Sequence, residues 1–519
     1  IWSVSTGWDK NRKVYMEFGI DYNRTFGLHK TTALILYNQS KYYSPSLQYY
    51  VPNAYQGLVG RLTYEYASRY LAEFNMGYNG TENFAKGKRF GFFPAVSLGW
   101  VISEEKFFPK NNIVKYLKVR GSYGEVGNDQ IGGDRFLYLP SSYGAASDSG
   151  VNKYNFGLAS NPYTSLMIVE NKIGNPDLTW EKAKKMNVGV DINLFNNCLT
   201  ASFDIFKEKR NNILANRSTS PMIIGANLPA YNFGEMENRG WEMDLNFRHH
   251  IQDFHYWARF NYSFARNEII YMDEVQKRYD YQMTTGRRKN QFFGLIFDGY
   301  YNSWEEINAL DRPKSSWSGN QLQPGDVKYV DVNRDGVIDD YDMVPIGYTP
   351  VPEIIYGFSF GAQYKGFDFS ILFQGADNVS IKYFGRSMWP FAKGEESAKS
   401  LIKERWTQER YEAGEKITFP RLSLNPNGET DHNYRPSTLW IRDASYLRLK
   451  NLEVGYTFTG GFVKRLNLNS VRLYFNGSNL FTWTDVVDLD PEAPSRSGNV
   501  EINTYPLQKV YNIGLNINF

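Results

Sequence analysis

The chain has 519 residues, of which 17% are aromatic, yet its mean hydropathy is −0.51 and its net charge only +3. Near-balanced charge excludes an electrostatic footprint for nucleic acid. No apolar run approaches the roughly 18 residues of a spanning helix, and the lone Cys198 excludes a disulfide framework or a cysteine metal site.

In chain order, the predicted elements are amphipathic strands. The stretch Val14–Tyr22 alternates apolar and polar residues, and Thr31–Tyr37 is the most apolar short segment. Between Met186 and Leu194, the residues Met186, Val188, Val190, Ile192 and Leu194 share one face, against Asn187, Gly189, Asp191 and Asn193. A tight turn through Asn196 and Asn197 leads to Leu199, Ala201, Phe203 and Ile205 on the same kind of face. The pattern returns at Trp241–Phe247, Tyr256–Phe264, Tyr356–Tyr364 and Val471–Gly477, and it closes the chain at Tyr511–Phe519. Gly, Asn, Ser and Asp dominate the second face, where a solvated sandwich carries Lys and Glu. Small polar residues of that kind suit a crowded, wet lumen.

Connection lengths point the same way. Short links (Phe195–Cys198, His249–Phe254, Lys365–Gly366) alternate with long polar ones near 125–179, 207–236, 266–291, 303–350, 376–445 and 484–506. Loops this long are uncommon in compact soluble domains, whereas barrels of the outer membrane pair short periplasmic turns with long extracellular loops. The expected fold class is all-β, a transmembrane antiparallel β-barrel with about sixteen strands in this chain. A large secreted sugar-binding β-protein and a passive porin are the competing readings. The chain opens on Ile1 without a signal peptide, so its natural start is expected to lie further upstream.

Several stretches resemble the SusC family, TonB-dependent importers of Bacteroidetes that work with a SusD-type surface lipoprotein. They are Gly91-Phe92-Phe93-Pro94-Ala95-Val96-Ser97-Leu98-Gly99-Trp100, Leu117–Gly124 with Gly127-Asn128, and Gly174–Glu181. Further on come Gly325–Asp331, Ala444–Asn451 and Asn479–Thr482. The terminal Phe519 also looks like the carboxy-terminal signature of outer-membrane proteins. The resemblance implies a parent barrel of the large, plugged, 22-stranded class. On that reading this chain is the carboxy-terminal part of the barrel (1–519), and the plug and TonB box lie outside it. It also implies TonB-dependent import of oligomeric nutrients, oligosaccharides first and oligopeptides as the alternative, with TonB, membrane lipid and a lipoprotein lid as partners.

The sharpest local motif runs from Asp331 to Asp342. Asp331, Asn333, Asp335, Val337 through its carbonyl, Asp339 and Asp342 occupy the ligand spacing of a calcium loop, with Gly336 at the sharp turn. The last position is Asp in place of the usual Glu, and the simpler alternative is an Asx-rich turn. The expected cofactor is a structural Ca²⁺ in an extracellular loop. Tyr383, Phe384, Trp389, Phe391 and Trp406 form an aromatic tract that either meets substrate or partner, or packs loops against one another. Among the histidines, His249, His250 and His255 are expected to be solvated around a short turn. No G-x-S-x-G, P-loop or H-E-x-x-H pattern occurs, so no enzymatic activity is expected.

Overall fold

A computed structural model describes residues 10–519 apart from 48–49, 131–134, 140–143, 146–152, 159–162, 167, 170–172, 220–227, 318–321, 384–387, 392–399, 424–430, 488 and 493–506. Fifteen strands are hydrogen-bonded neighbours in chain order within one sheet. They are β1 (Arg12–Phe26), β2 (His29–Tyr43), β3 (Asn53–Tyr66), β4 (Tyr70–Thr81), β5 (Phe90–Val101), β6 (Val114–Asn128), β7 (Glu181–Leu194) and β8 (Leu199–Ala215). The remainder are β9 (Tyr231–Ile251), β10 (Phe254–Tyr271), β11 (Ile354–Tyr364), β12 (Phe367–Asp377), β13 (Tyr446–Phe458), β14 (Ser470–Thr484) and β15 (Val510–Asn518). The other sheets among the described residues are two-stranded pairs within the connections. No helix is long and apolar enough to cross a membrane, which says nothing about strands.

The chain divides into two compact units, residues 1–191, 204–239 and 268–275, and residues 192–203, 240–267 and 276–519. In the first unit, antiparallel register carries one apolar face from strand to strand. Ile35, Leu62, Phe74, Val96 and Tyr123 belong to it, and all five are exposed. Met186 and Val188 on β7 are exposed likewise, at 54% and 59%. Apolar side chains left open in this number on one face need a solvent other than water. In the second unit Phe358, Leu473, Phe475 and Ile513 repeat the arrangement.

The polar face is laced by ion pairs. Arg120 on β6 reaches Asp191 on β7 at 3.1 Å and Asp204 on β8 at 2.6 Å, crossing the bare backbone of Gly189. In the second unit Arg472 on β14 pairs with Glu453 on β13 at 2.6 Å and with Asp368 on β12, crossing Gly455. Each set ties three adjacent strands through one guanidinium laid over a glycine on the middle strand. The family-like glycines at 91 and 127 do similar work. A Cβ at either would fall within 2.3 Å of the Phe93 ring, which instead turns onto the polar face and packs under Trp180, Phe84 and Leu178.

Two expected connections prove shorter than the sequence suggests. β8 continues to Ala215 and β9 begins at Tyr231, so much of 207–236 is strand. The charged residues that read as loop are cross-strand pairs: Lys207–Glu237 and Lys209–Glu235, both at 2.9 Å. Likewise β10 runs on to Tyr271, past the expected loop start at 266. At 21 residues β9 exceeds the roughly 9–11 residues that cross a bilayer.

Candidate functional site

The long connections of the second unit have a hydrophobic core of their own. Leu295, Val327, Tyr329, Ile338, Ile381, Phe419, Tyr434 and Trp440 are buried together there. The family-like Gly325-Asp326-Val327 run is its keystone. Gly325, at φ 92°, makes room for the Trp406 ring, which a Cβ would meet at 2.4 Å. Asp326 is buried and takes Arg421 Nε at 2.6 Å and the Asn433 side-chain amide at 2.7 Å. Val327 is fully buried, and its N–H donates to Asn433 Oδ1.

The aromatic tract belongs to this interior. Trp389 is 3% exposed and packs on Tyr434 and Trp440. Tyr383 donates its hydroxyl to the Val487 carbonyl at 3.0 Å, and Trp406 donates Nε1 to Asn302 at 3.1 Å. Phe391 is half-buried, and Phe384 lies outside the described residues. Tyr383, Trp389 and Trp406 therefore pack loop against loop, the second of the two readings open for the tract, and do not offer free ring faces to substrate or partner. An irregular aromatic run has no periodicity to reveal which neighbours will cover it.

The Asp331–Asp342 loop is braced by its own acidic side chains. Asp331 accepts from the N–H of Arg334 and Gly336, Asn333 from Asp335, and Asp335 from Val337. Asp342 is fully buried and accepts from the N–H of Val332, Asn333 and Asp339, at 2.8, 3.4 and 2.9 Å. Gly336 makes the sharp turn at φ 82°, and Ile338 plugs the loop into the core. The donors are hard oxygens, as calcium requires. Yet these oxygens are turned onto backbone, and among the described residues no three acidic, His or Cys side chains come together to hold a metal. As folded, the loop is a nest of Asx turns. Burial, with the nearby charge of Asp331, pushes the Asp342 carboxyl up from its ordinary range despite the three N–H donors.

Three features escaped sequence reasoning. Glu353, 5% exposed, is gripped by Arg266 at 2.8 Å, by Arg288 and by the Asn378 amide at 3.2 Å. Burial opposes its charge, but the two guanidiniums hold its carboxyl below the ordinary value. Arg448, 2% exposed, takes Asp490 at 2.8 Å and Glu492 at 2.7 Å, holding both carboxylates to β13. His432 faces the Val327 carbonyl with Nε2 at 2.8 Å and Ser315 with Nδ1 at 3.1 Å, and burial lowers its pKa. His249, His250 and His255, by contrast, are exposed around the β9–β10 turn as expected.

Fifteen antiparallel strands with one exposed apolar face, one ion-paired polar face and long folded connections define an outer-membrane-type β-barrel protein. The chain belongs to the TonB dependent receptor-like β-barrel family, whose model matches residues 2–480. It is 28% identical over 479 residues to TonB-dependent receptor P3 of Formosa agariphila, covering 89% of this chain and 45% of that protein. It is 28% identical over 477 residues to TonB-dependent receptor SusC of Bacteroides thetaiotaomicron, covering 91% and 44%. The chain thus spans about half the length of the curated relatives it matches. Its fold is that of the RagAB peptide transporter, with a TM-score of 0.72 at 22% identity over 98% of this chain and 56% of that one.

Proposed function

We propose that this chain is the carboxy-terminal barrel portion of a multi-pass outer-membrane importer that takes up oligomeric nutrients, most concretely oligosaccharides, with energy delivered through TonB. One observation carries the reading. A chain of the TonB-dependent receptor family presents an exposed apolar strand face for lipid and a charged, ion-paired face suited to a filled lumen. A passive porin shares the first property but not the family. Oligopeptide import is the second reading, supported by the fold shared with the RagAB peptide transporter.

A SusD-type lipoprotein lid is part of the proposal. Its support is the buried core of the long connections, which supplies a preformed platform in place of mobile loops. A stable lid buries well over about 1,600 Å². Calcium in the Asp331–Asp342 loop completes it: Asp331, Asn333, Asp335, Asp339, Asp342 and the Val337 carbonyl would hold the cation, which would offset the charge around buried Asp342. The test is purification from native outer membranes through this chain, with uptake of labelled oligosaccharides and peptides measured in the same cells. Co-purification of the lipoprotein, and loss of uptake when its gene is removed, are expected. A barrel that purifies alone, with uptake indifferent to every such neighbour, refutes the lid.

A further inference from the structure

On the exposed apolar face of β7 and β8 the side chains change abruptly to lysine. Leading away from the tight turn at 195–198, Val188 and Met186 on β7 are followed by Lys184 and Lys182, and Ile205 on β8 by Lys207 and Lys209. Each is one same-face step of two residues beyond the last. A strand crosses a bilayer in roughly 9–11 residues. Counted from the turn, Lys184 is the eleventh residue of β7, and Lys207 and Lys209 are the ninth and eleventh of β8. The lysines therefore stand where these strands leave the hydrocarbon, on the side of the long connections, which is the outer leaflet. At the same count on β2, β3 and β4, the facing row is Gln39, Gln56 and Gly80, without charge.

The partners of these lysines leave the ammoniums turned outward. Lys182 and Lys184 share Glu125 of β6 at 3.7 and 3.9 Å, while Lys207 and Lys209 meet Glu237 and Glu235 of β9 at 2.9 Å. The lysine side chains are 38% to 54% exposed, whereas Glu125 and Glu237 are 19% and 18% exposed. Four ammoniums thus lie over three more deeply set carboxylates, and Arg239 and Glu268 alongside, 4.0 Å apart, cancel each other. Ion pairs this exposed stabilise little and exchange partners readily. The four-carbon stem of lysine lies along apolar surface and carries the ammonium to whichever anion is nearest.

Chemistry selects the occupant. It must be anionic, it must lie at headgroup depth, and its apolar part must continue down the wall over Met186, Val188 and Ile205, which are 54%, 59% and 56% exposed. A free anion meets only the first condition, and a nutrient held on the polar face meets neither of the others. We propose that Lys182, Lys184, Lys207 and Lys209 form a clamp for the phosphate-bearing headgroup of an outer-leaflet lipid, whose acyl chains cover the apolar residues below. The clamp goes beyond import and rests only on the membrane-spanning part of the proposed function.

The experiment uses the full-length transporter with its natural partners, in neutral detergent and in phosphatidylcholine vesicles. It is titrated with bis-phosphorylated lipid A and with the same lipid stripped of its phosphates, and bound lipid is counted by native mass spectrometry. The variants are Lys182→Gln/Lys184→Gln, Lys207→Gln/Lys209→Gln and the charge-keeping Lys207→Arg/Lys209→Arg. Lys185→Gln, whose lysine pairs with Glu208 on the opposite face at 3.4 Å, is the control. Wild type should hold the phosphorylated lipid about tenfold or more tightly than the stripped one, and each double Gln variant should lose about that factor. The Arg variant and Lys185→Gln should bind as wild type does. Equal affinity of wild type for the two lipids overturns the clamp without recourse to any variant. An equal loss in Lys185→Gln, or none in the double Gln variants, also overturns it. Displacement of the lipid by inorganic phosphate, but not by chloride at the same ionic strength, assigns the lysines to a free anion. A chain that inserts into no vesicle overturns the membrane reading itself, whereas insertion without lipid preference overturns the clamp alone.

Discussion

Replacing Glu353 should open the loop core while leaving the strands paired. The carboxylate stands just before β11 and is gripped by Arg266 from β10, Arg288 from the long connection and Asn378 from beyond β12. Glu353→Ala leaves two guanidiniums facing a gap with no anion. The two guanidiniums left behind are 40% and 23% exposed and water can reach them, so the cost falls below that of a fully buried pair, to about 1–3 kcal/mol. At about 1.4 kcal/mol per tenfold, the population of locally opened loops should rise by roughly 5- to 150-fold. Hydrogen exchange resolves this by segment. Amides at Val379–Ile381 and Trp440–Ala444, beside the clamp, should lose protection, and those at the centre of β12 should keep it. Glu353→Gln should fall between wild type and Ala, since its NH₂ meets donors in place of acceptors. Unchanged protection around Val379, or equal loss along the whole of β12, would refute the clamp.

The remaining predictions are more local. Gly189→Val should destabilise by about 1–3 kcal/mol in urea unfolding of the membrane-extracted protein, because its Cβ would sit 2.6 Å from Asp204 Oδ1 and displace Arg120. An unchanged midpoint would show that the Arg120 staple contributes nothing. For His432 the folded pKa is depressed by burial, so the unfolded chain binds the proton more tightly. Loop-core stability should therefore be full above about pH 6.5 and fall as pH drops below it, and His432→Gln should flatten that slope. A slope that persists in the variant assigns it to other groups. Terbium titrated against the calcium-free protein should give luminescence sensitised by Tyr281 or Tyr341 and displaced by calcium, and Asp335→Ala with Asp342→Asn should abolish it. Wild type without saturable emission would leave the loop as Asx turns alone.

The strand faces were legible because period-two alternation needs only one sequence: Met186 and Val188 fall on the exposed face that their parity assigns. The family blocks were equally legible, and the structure gives them physical meaning in Gly91 and Gly127 around Phe93 and in Gly325 beneath Trp406. Strand ends were not legible, because cross-strand pairs such as Lys207–Glu237 look like solvated loop until the partner strand is known. The aromatic tract was ambiguous for a related reason. Tyr383 and Trp389 are covered by Val487, Tyr434 and Trp440, residues 45 or more positions away that no local pattern connects. Glu353 and Arg448 belong to long-range constellations of common residues, which carry no local sequence signal.

Energised import is the central claim, and uptake into intact cells with and without a functional TonB tests it most directly. Labelled oligosaccharide or peptide should accumulate only when TonB and the proton-motive force are both present, and accumulation should stop on adding a protonophore. Entry at an undiminished rate in cells lacking TonB would contradict the account and make the barrel a passive pore.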